Sequence, residues 1–499
     1  MQDYDPGEAQ DAFGASRAVF AQITEYLSGP QAGRVTHAQL EEQLAARGRE
    51  LVRQLYQDSL DLRAAREQRL EVTDADGWGR GTAERRRSRE LATVFGQVSV
   101  TRIAYREPGL PDLAPADAML NLPVEKHSHG LRKLAALEAA RGSFEQAAAA
   151  IGRATGVRLG KRQVEALATA AATDIDAFYT DRQQPKAGAD DVLVLSFDGK
   201  GIVMRPDGLR AATAAKATSR KLAGRLSKGE KRARKRMAEV AAVYDLTPAV
   251  RTVGDILPDT DAERATAAPA PRASSKWLTA SVVDDASEVI AAGFDQADRR
   301  DPHHRRTWIA LVDGNAHQIA RIRAEARTRK QTVTIVVDFI HVLEYLWKAT
   351  WCFHAEADPK AEKWVRGHAR AILEGKAATV AAAIRRKATY QQLDPKQREP
   401  ADTAAGYLHN NKRWLDYPTA LASGWPIATG VIEGACRHLV KDRMDITGAR
   451  WGLDGAETIL KLRALTTNGD FDNYWTYHLT QEQLHIHNSR YLSGVIPDG

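Results

Sequence analysis

Cysteine is almost missing: the 499 residues hold only Cys352 and Cys436. Two thiols cannot build a disulfide framework or a four-thiolate zinc site, and a reducing cytosolic compartment is the expectation. Long apolar runs are missing too. No stretch approaches the roughly 18 apolar residues of a membrane span. The N-terminal MQDYDPGEAQ carries acids where a signal peptide needs a basic start and an apolar run. A soluble, intracellular protein is expected, with length for two to four folded domains. A large charge excess is also lacking, since the net charge is +7, which permits a nucleic-acid partner without requiring one.

What charge there is sits in one place. Ten basic residues and one acid, Glu230, lie between Lys216 and Arg236, so this segment alone carries +9 and the rest of the chain is at −2. Such a cationic stretch neutralises phosphates and releases their counterions, and the bland reading is a solvated loop. Residues 39–63 place Leu40, Leu44, Leu51, Leu55 and Leu60 at helical spacing among charges, as a scaffold helix or a self-association surface does. Residues 91–105 alternate β-branched and polar side chains around Phe95-Gly96, the pattern of a hairpin. Helices are expected over 130–140, 144–154 and 161–172, with a Gly-bearing turn at 156–160 between the last two. That is the layout of a helix-turn-helix, with Ala147, Ile151, Val164 and Leu167 inside and Arg158, Lys161, Arg162 and Gln163 at the base-reading end. An ordinary packed helical hairpin has the same pattern.

Beyond a polar linker at 181–190 the pattern changes. VLVLSF (192–197) reads as a strand buried on both faces and ends at Asp198-Gly199. A second strand is expected at 201–205 and a third at 238–244, then an amphipathic stretch over 277–294 and two buried strands at 308–312 and 333–337. These two end in Asp313 and Asp338. Residues 341–351 turn helical, 355–422 is Ala- and Lys-rich with a polar break at 391–405, and a last helix follows Pro426.

Carboxylates at strand ends are costly to dehydrate and need a compensating charge, often a metal, or a wet sheet rim. A strand-end Asp is also a common turn former or helix cap. In a sheet ordered 3-2-1-4-5, the first and fourth strands lie about 4.8 Å apart and the fifth about 10 Å from the first. Asp198 and Asp313 can then share ions, whereas Asp338 cannot bridge to Asp198. Glu433 supplies a third carboxylate near the start of a helix whose Ile432, Cys436, Leu439 and Val440 share a face, with Arg437 one turn beyond Glu433. Three carboxylates without a Cys or His cluster are hard-oxygen chemistry, that of Mg²⁺ or Mn²⁺. Two such ions suit in-line phosphoryl displacement.

Asp198, Asp313-Gly314, the D-x-x-H of Asp338 and His341 some 25 residues later, and Glu433 after a helical block together resemble the D, D, [C/D]-x-x-H, E order of Mutator-type bacterial insertion-sequence transposases. These are DDE transposases with an RNase H-like core. The similarity covers about residues 190–470, and the acids are 115 and 120 residues apart, similar to members with an all-helical insertion.

The resemblance implies an α/β fold. Its RNase H-like five-stranded mixed sheet (order 3-2-1-4-5) is flanked by helices and joined to a mainly helical DNA-binding region. It divides the chain into 1–110, a helical region with a hairpin; 111–180, the helix-turn-helix; 188–341 and 427–470, the catalytic core; 342–426, the insertion; and 471–499, a tail. Asp198, Asp313 and Glu433 are expected to hold two Mg²⁺ or Mn²⁺ ions, with Asp338 and His341 as site support. Double-stranded DNA, both transposon ends and target, is the expected partner. Its contacts would be Arg158, Lys161, Arg162, Gln163, Arg220, Lys221, Lys228, Lys231, Arg232, Arg234, Lys235, Arg236 and Arg437. A homodimer or higher oligomer, in the bacterial cytoplasm at the nucleoid and off the membrane, completes the expectation. Core packing is expected for most of Trp347, Trp351, Trp414 and Trp425, with stacking on unpaired DNA as the family reading. A nuclease that cuts without joining, or a domesticated DNA-binding regulator, are the alternatives.

Overall fold

The computed structural model describes residues 12–184, 187–188, 190–218, 234–446 and 448–498. The chain forms two compact units, Met1–Asp181 with Gly469–Gly499, and Arg182–Asn468.

In the first unit, α1 (Gly14–Ser28) precedes the long α2 (His37–Arg66), which Thr36 and Gln39 open with a reciprocal capping box. The hairpin forms at the expected turn, where Gly96 has φ +125°, a value that only glycine takes without strain. It is longer than the alternation indicates: β1 (Thr82–Thr93) pairs with β2 (Gly96–Arg106). The extra length is polar ERRRSRE, held by its partner's backbone and invisible to hydrophobic periodicity. Three helices follow, α3 (His129–Arg141), α4 (Phe144–Thr155) and α5 (Lys161–Ala170). Ser143 and Gln146 cap α4, and Gly156 ends it in the left-handed conformation (φ +78°). Ala147, Ile151, Val164 and Leu167 are all buried, as their spacing requires. The expected tail at 471–499 instead contributes a helix, Phe471–Glu482, and turns through residue 498 to this unit.

The second unit is mixed α/β around a five-stranded sheet. Its strands are β3 (Val192–Val203), β4 (Lys235–Leu246), β5 (Ala273–Ser281), β6 (Trp308–Val312) and β7 (Val333–Val337), arranged β5-β4-β3-β6-β7. The β5-β4-β3 pairs are antiparallel and β3-β6-β7 parallel. Two strand assignments need correction. Residues 201–203 do not begin a new strand, because β3 runs on through Asp198-Gly199 and stays paired to β4 from Val192↔Leu246 to Val203↔Lys235. The third strand is 273–281, where the amphipathic stretch was read as starting. Trp277, Leu278, Ala280 and Ser281 are all buried there, and the helix α6 (Ala286–Arg300) starts only after Asp285, its N-cap.

Helix α6 packs on β3 and β4 at close range: a Cβ on Gly293 would stand 2.7 Å from the Phe197 ring. Helix α7 (Ala316–Thr328) joins β6 to β7. The helices α8 (Phe339–Thr350), α9 (Pro359–Leu373), α10 (Ala377–Tyr390) and α11 (Pro395–Asn411) follow β7. The polar break at 391–405 is short, since Asp394 and Gln397 cap α11, which continues through Pro400. Last come α12 (Gly430–Ala435), which winds on through a π-helical stretch at Cys436–Lys441 to Met444, and α13 (Leu453–Thr467). Among the described residues no helix is long and apolar enough to cross a membrane.

Candidate metal centre

The parallel strands bring three aspartates to one edge of the sheet. Strand β3 pairs with β6 from Leu193↔Trp308 to Ser196↔Leu311, and β6 with β7 through Val312↔Val337. Carried one or two residues further, the same register sets Asp198, Asp313 and Asp338 side by side, with Asp313 in the middle. The Asp338 N–H donates to the Val312 carbonyl at 2.8 Å, which keeps the chain in register past the last pair.

Helix α12 closes over this row. Ile432, Cys436, Leu439 and Val440 are buried, as their shared face implies. π-Helical turns of this kind concentrate at functional sites. Two contacts tie the helix to the sheet. The Cys436 thiol donates to Asp198 Oδ2 at 3.2 Å. The buried hydroxyl of Thr429 donates to Asp338 Oδ2 and lies 3.5 Å from Glu433 Oε1. Ligand atoms of Asp338, His341 and Glu433 fall within 4.8 Å of one another, the one such group of His, Cys, Asp or Glu among the described residues. Glu433 therefore meets Asp338 and His341 at this spacing, and Asp198 and Asp313 lie outside that group.

Hydrogen bonding separates the acids into two kinds. Asp338 is fully buried and its oxygens accept from the Ile340 N–H (2.8 Å), the Thr429 hydroxyl and His341 Nδ1 (3.1 Å). The bond to Asp338 raises His341 to about 9, against the opposing effect of burial. Asp198 Oδ1 accepts only from the Gly199 N–H, and Asp313 Oδ1 only from the Asn315 N–H, among the described residues. Both carboxylates are half-buried, and Glu433 is exposed. Asp198 also takes the Cys436 thiol on Oδ2, yet these three accept fewer bonds than Asp338, which takes three, and so keep more lone pairs for a cation.

Four residues shape this edge, three of which, Tyr407, Gln318 and Glu239, periodicity alone does not single out. Tyr407 on α11 donates to the Asp313 carbonyl at 2.8 Å and stacks on Tyr345 with centroids 4.0 Å apart. Gln318 Nε2 donates to the Phe197 carbonyl at 3.0 Å. Glu239 crosses over Gly199 from β4; burial raises its carboxyl pKa, with Asp198 adding to the shift and Arg321 opposing it. The thiol pKa of Cys436, on the buried face of α12, is pushed up by burial and then by the Asp198 charge. The one sequence signal is spacing: Thr429 precedes Glu433 by four residues and so shares its helix face.

The DNA-contact candidates fare differently. Arg158, Lys161, Arg162 and Gln163 are all exposed; Gln163 caps the Gly160 N–H at 2.8 Å, and Lys161 reaches Glu145 at 2.9 Å. Arg220, Lys221, Lys228, Lys231 and Arg232 lie outside the described residues. Lys235 is exposed and Arg234 half-buried. Arg236 donates instead to the carbonyls of Val282 (2.6 Å), Val283 (3.1 Å) and Gly208 (3.3 Å), which ties it to the fold. Arg437 is exposed beside Asp442 at 3.8 Å. None of the four tryptophans is buried, against the expectation of core packing. Trp347 and Trp351 are exposed neighbours with ring centroids 5.5 Å apart, and Trp414 lies near Arg413 and Arg323.

Neither the protein-family models nor the curated proteins compared with the chain match it.

Proposed function

We propose that this chain is a metal-dependent DNA transposase of the DDE type, with an RNase H-like core of strand order 3-2-1-4-5, similar to the Mutator-type insertion-sequence enzymes. One observation supports the reading: Asp198 and Asp313 are register-matched on adjacent parallel strands, and α12 carries Glu433 to within 4.8 Å of Asp338 and His341, which follow the next strand.

The donor set fits a hard divalent cation. Asp198, Asp313 and Glu433 offer carboxylate oxygens with lone pairs to spare, and these three would hold two Mg²⁺ or Mn²⁺ ions. When bound, such ions activate a nucleophilic oxygen and stabilise the leaving oxygen of an in-line displacement. The chain's own residues do the positioning. Thr429 fixes Asp338 against the first turn of α12, the Asp338–His341 pair supports that turn, and Cys436 orients Asp198. Exposed Arg158, Lys161, Arg162 and Gln163 would read base edges at the element's ends, and Lys235 and Arg437 would hold backbone. Water then cleaves a phosphodiester to leave a 3′-hydroxyl. That hydroxyl in turn displaces a 3′-oxygen from a target phosphodiester, one bond forming as the other breaks. Two ends must be held together, so the working species is at least a dimer, acting in the bacterial cytoplasm at the nucleoid.

The test is incubation of the purified chain with DNA carrying its own element's termini and Mg²⁺. Cut ends and joined products are expected, and Asp198→Ala should abolish both while still binding the termini. Full activity in Asp198→Ala rejects the assigned site. Cutting without joining leaves a nuclease, and binding without either leaves a regulator.

A further inference from the structure

A second cationic feature lies in the first unit. The tip of the β1–β2 hairpin, the middle turns of α2 and the helix-turn-helix turn line an open cleft of about 580 Å³. Arg49 and Arg53 line it from α2, Lys126 and His127 from the segment before α3, and Arg158 from the turn. One acid, Glu50, faces them, and it is taken up by Arg53 at 2.6 Å, a residue also bonded to the Gln97 carbonyl. Arg49, Lys126 and Arg158 make no ion pair among the described residues, and all three are exposed. They come from three different elements yet converge on one cavity. Arg49 Nε stands 3.7 Å from where a Cβ on Gly156 would lie, so α2 reaches the turn itself.

We infer that this cleft is a clamp for the sugar-phosphate backbone of duplex DNA, adjoining the base-reading helix α5. The inference rests on DNA being the partner, as proposed above, and adds a surface that the helix-turn-helix pattern does not contain. Gln163 lies both on the cleft wall and at the start of α5. A duplex read by Lys161 and Arg162 therefore runs its backbone past Arg158 and into the reach of Arg49 and Lys126. Arg49 and Lys126, two unpaired cations beside the base-reading Arg158, neutralise phosphates without sequence preference, and each contact releases condensed counterions.

The experiment is fluorescence anisotropy of the full chain on a random-sequence DNA duplex, titrated with KCl. The slope of log affinity against log salt should fall by about 0.9 in Arg49→Ala and in Lys126→Ala, and by about 1.8 in the double variant. Arg49→Lys should keep the slope, and Lys396→Ala, an exposed cation in the second unit, should leave it unchanged. Circular dichroism of each variant should match the parent, as these side chains are exposed. An unchanged slope in the double variant overturns the clamp. So does an unchanged slope with polyglutamate displacing the duplex, which assigns the cleft to acidic peptides. Cutting and joining by the parent chain is scored separately. Their loss with the slopes as expected sinks the transposase and leaves the clamp, and the reverse result does the opposite.

Discussion

Single side chains decide the character of the acidic edge. Asp338 is the most buried of its acids, and it persists there because a backbone N–H, a hydroxyl and an imidazole satisfy both oxygens. Its pairing with His341 makes a pH signature. Hydrogen bonding to Asp338 lifts the histidine from its ordinary 6.5 to about 9 in the folded chain. A raised value means that the folded state binds the proton more tightly than the unfolded state. The stabilisation is therefore complete below about 6.5 and is lost as pH rises through about 9. Urea midpoints measured across that window should decline in the parent chain and decline less in His341→Gln; parallel declines would show that the pair is not the source.

At the level of elements, the residues just past β6 and β7 supply Asp313 and Asp338, and the strands supply the register that aligns them. Gly314, directly after Asp313, has φ +88°, and a Cβ there would meet the Tyr407 hydroxyl at 2.9 Å. Gly314→Ala should therefore cost at least about 1 kcal/mol of stability. It should also displace Tyr407 from the Asp313 carbonyl, lowering DNA cleavage more than end binding. Denaturant unfolding and a cleavage assay on the same preparation check both effects. Glycine here was legible as part of Asp313-Gly314, but its reason lies in α11, some 90 residues away in sequence. Strand β3 makes the same point. Its first six residues announce a buried strand, and its extension past Asp198 is set by β4 alone, since Gly199 and Gly201 leave room for Glu239 and Lys235.

The whole molecule folds as two compact units, and each has its own buried electrostatics. In the first unit Arg132 is buried between Glu482 and Glu125, both at 2.5 Å, with His478 at 3.2 Å. Removing Arg132 leaves the largely buried Glu482 without its counter-charge. Arg132→Ala should thus cost about 3–5 kcal/mol. Calorimetry of the full chain should show the loss in the transition of Met1–Asp181 with Gly469–Gly499, leaving that of Arg182–Asn468 in place. A uniform shift of both transitions would show that the two units unfold as one.

What the amino-acid sequence determined alone is local: the helices of 37–66, 129–141, 144–155 and 161–170, the turn at Phe95-Gly96, the apolar runs of β3, β6 and β7, and the aspartates that follow them. Periodicity and breaker residues act over a few positions, and these features need nothing more. Long-range pairing decided the rest. It placed β5 where an amphipathic stretch was read, made β3 and β4 one long ribbon, and drew residues 469–499 into the first unit. It also set Cys436 on Asp198, 238 residues away, and Thr429 on Asp338, 91 residues away. Such contacts depend on sheet register and on the helix that crosses its edge, and no window of sequence holds both partners.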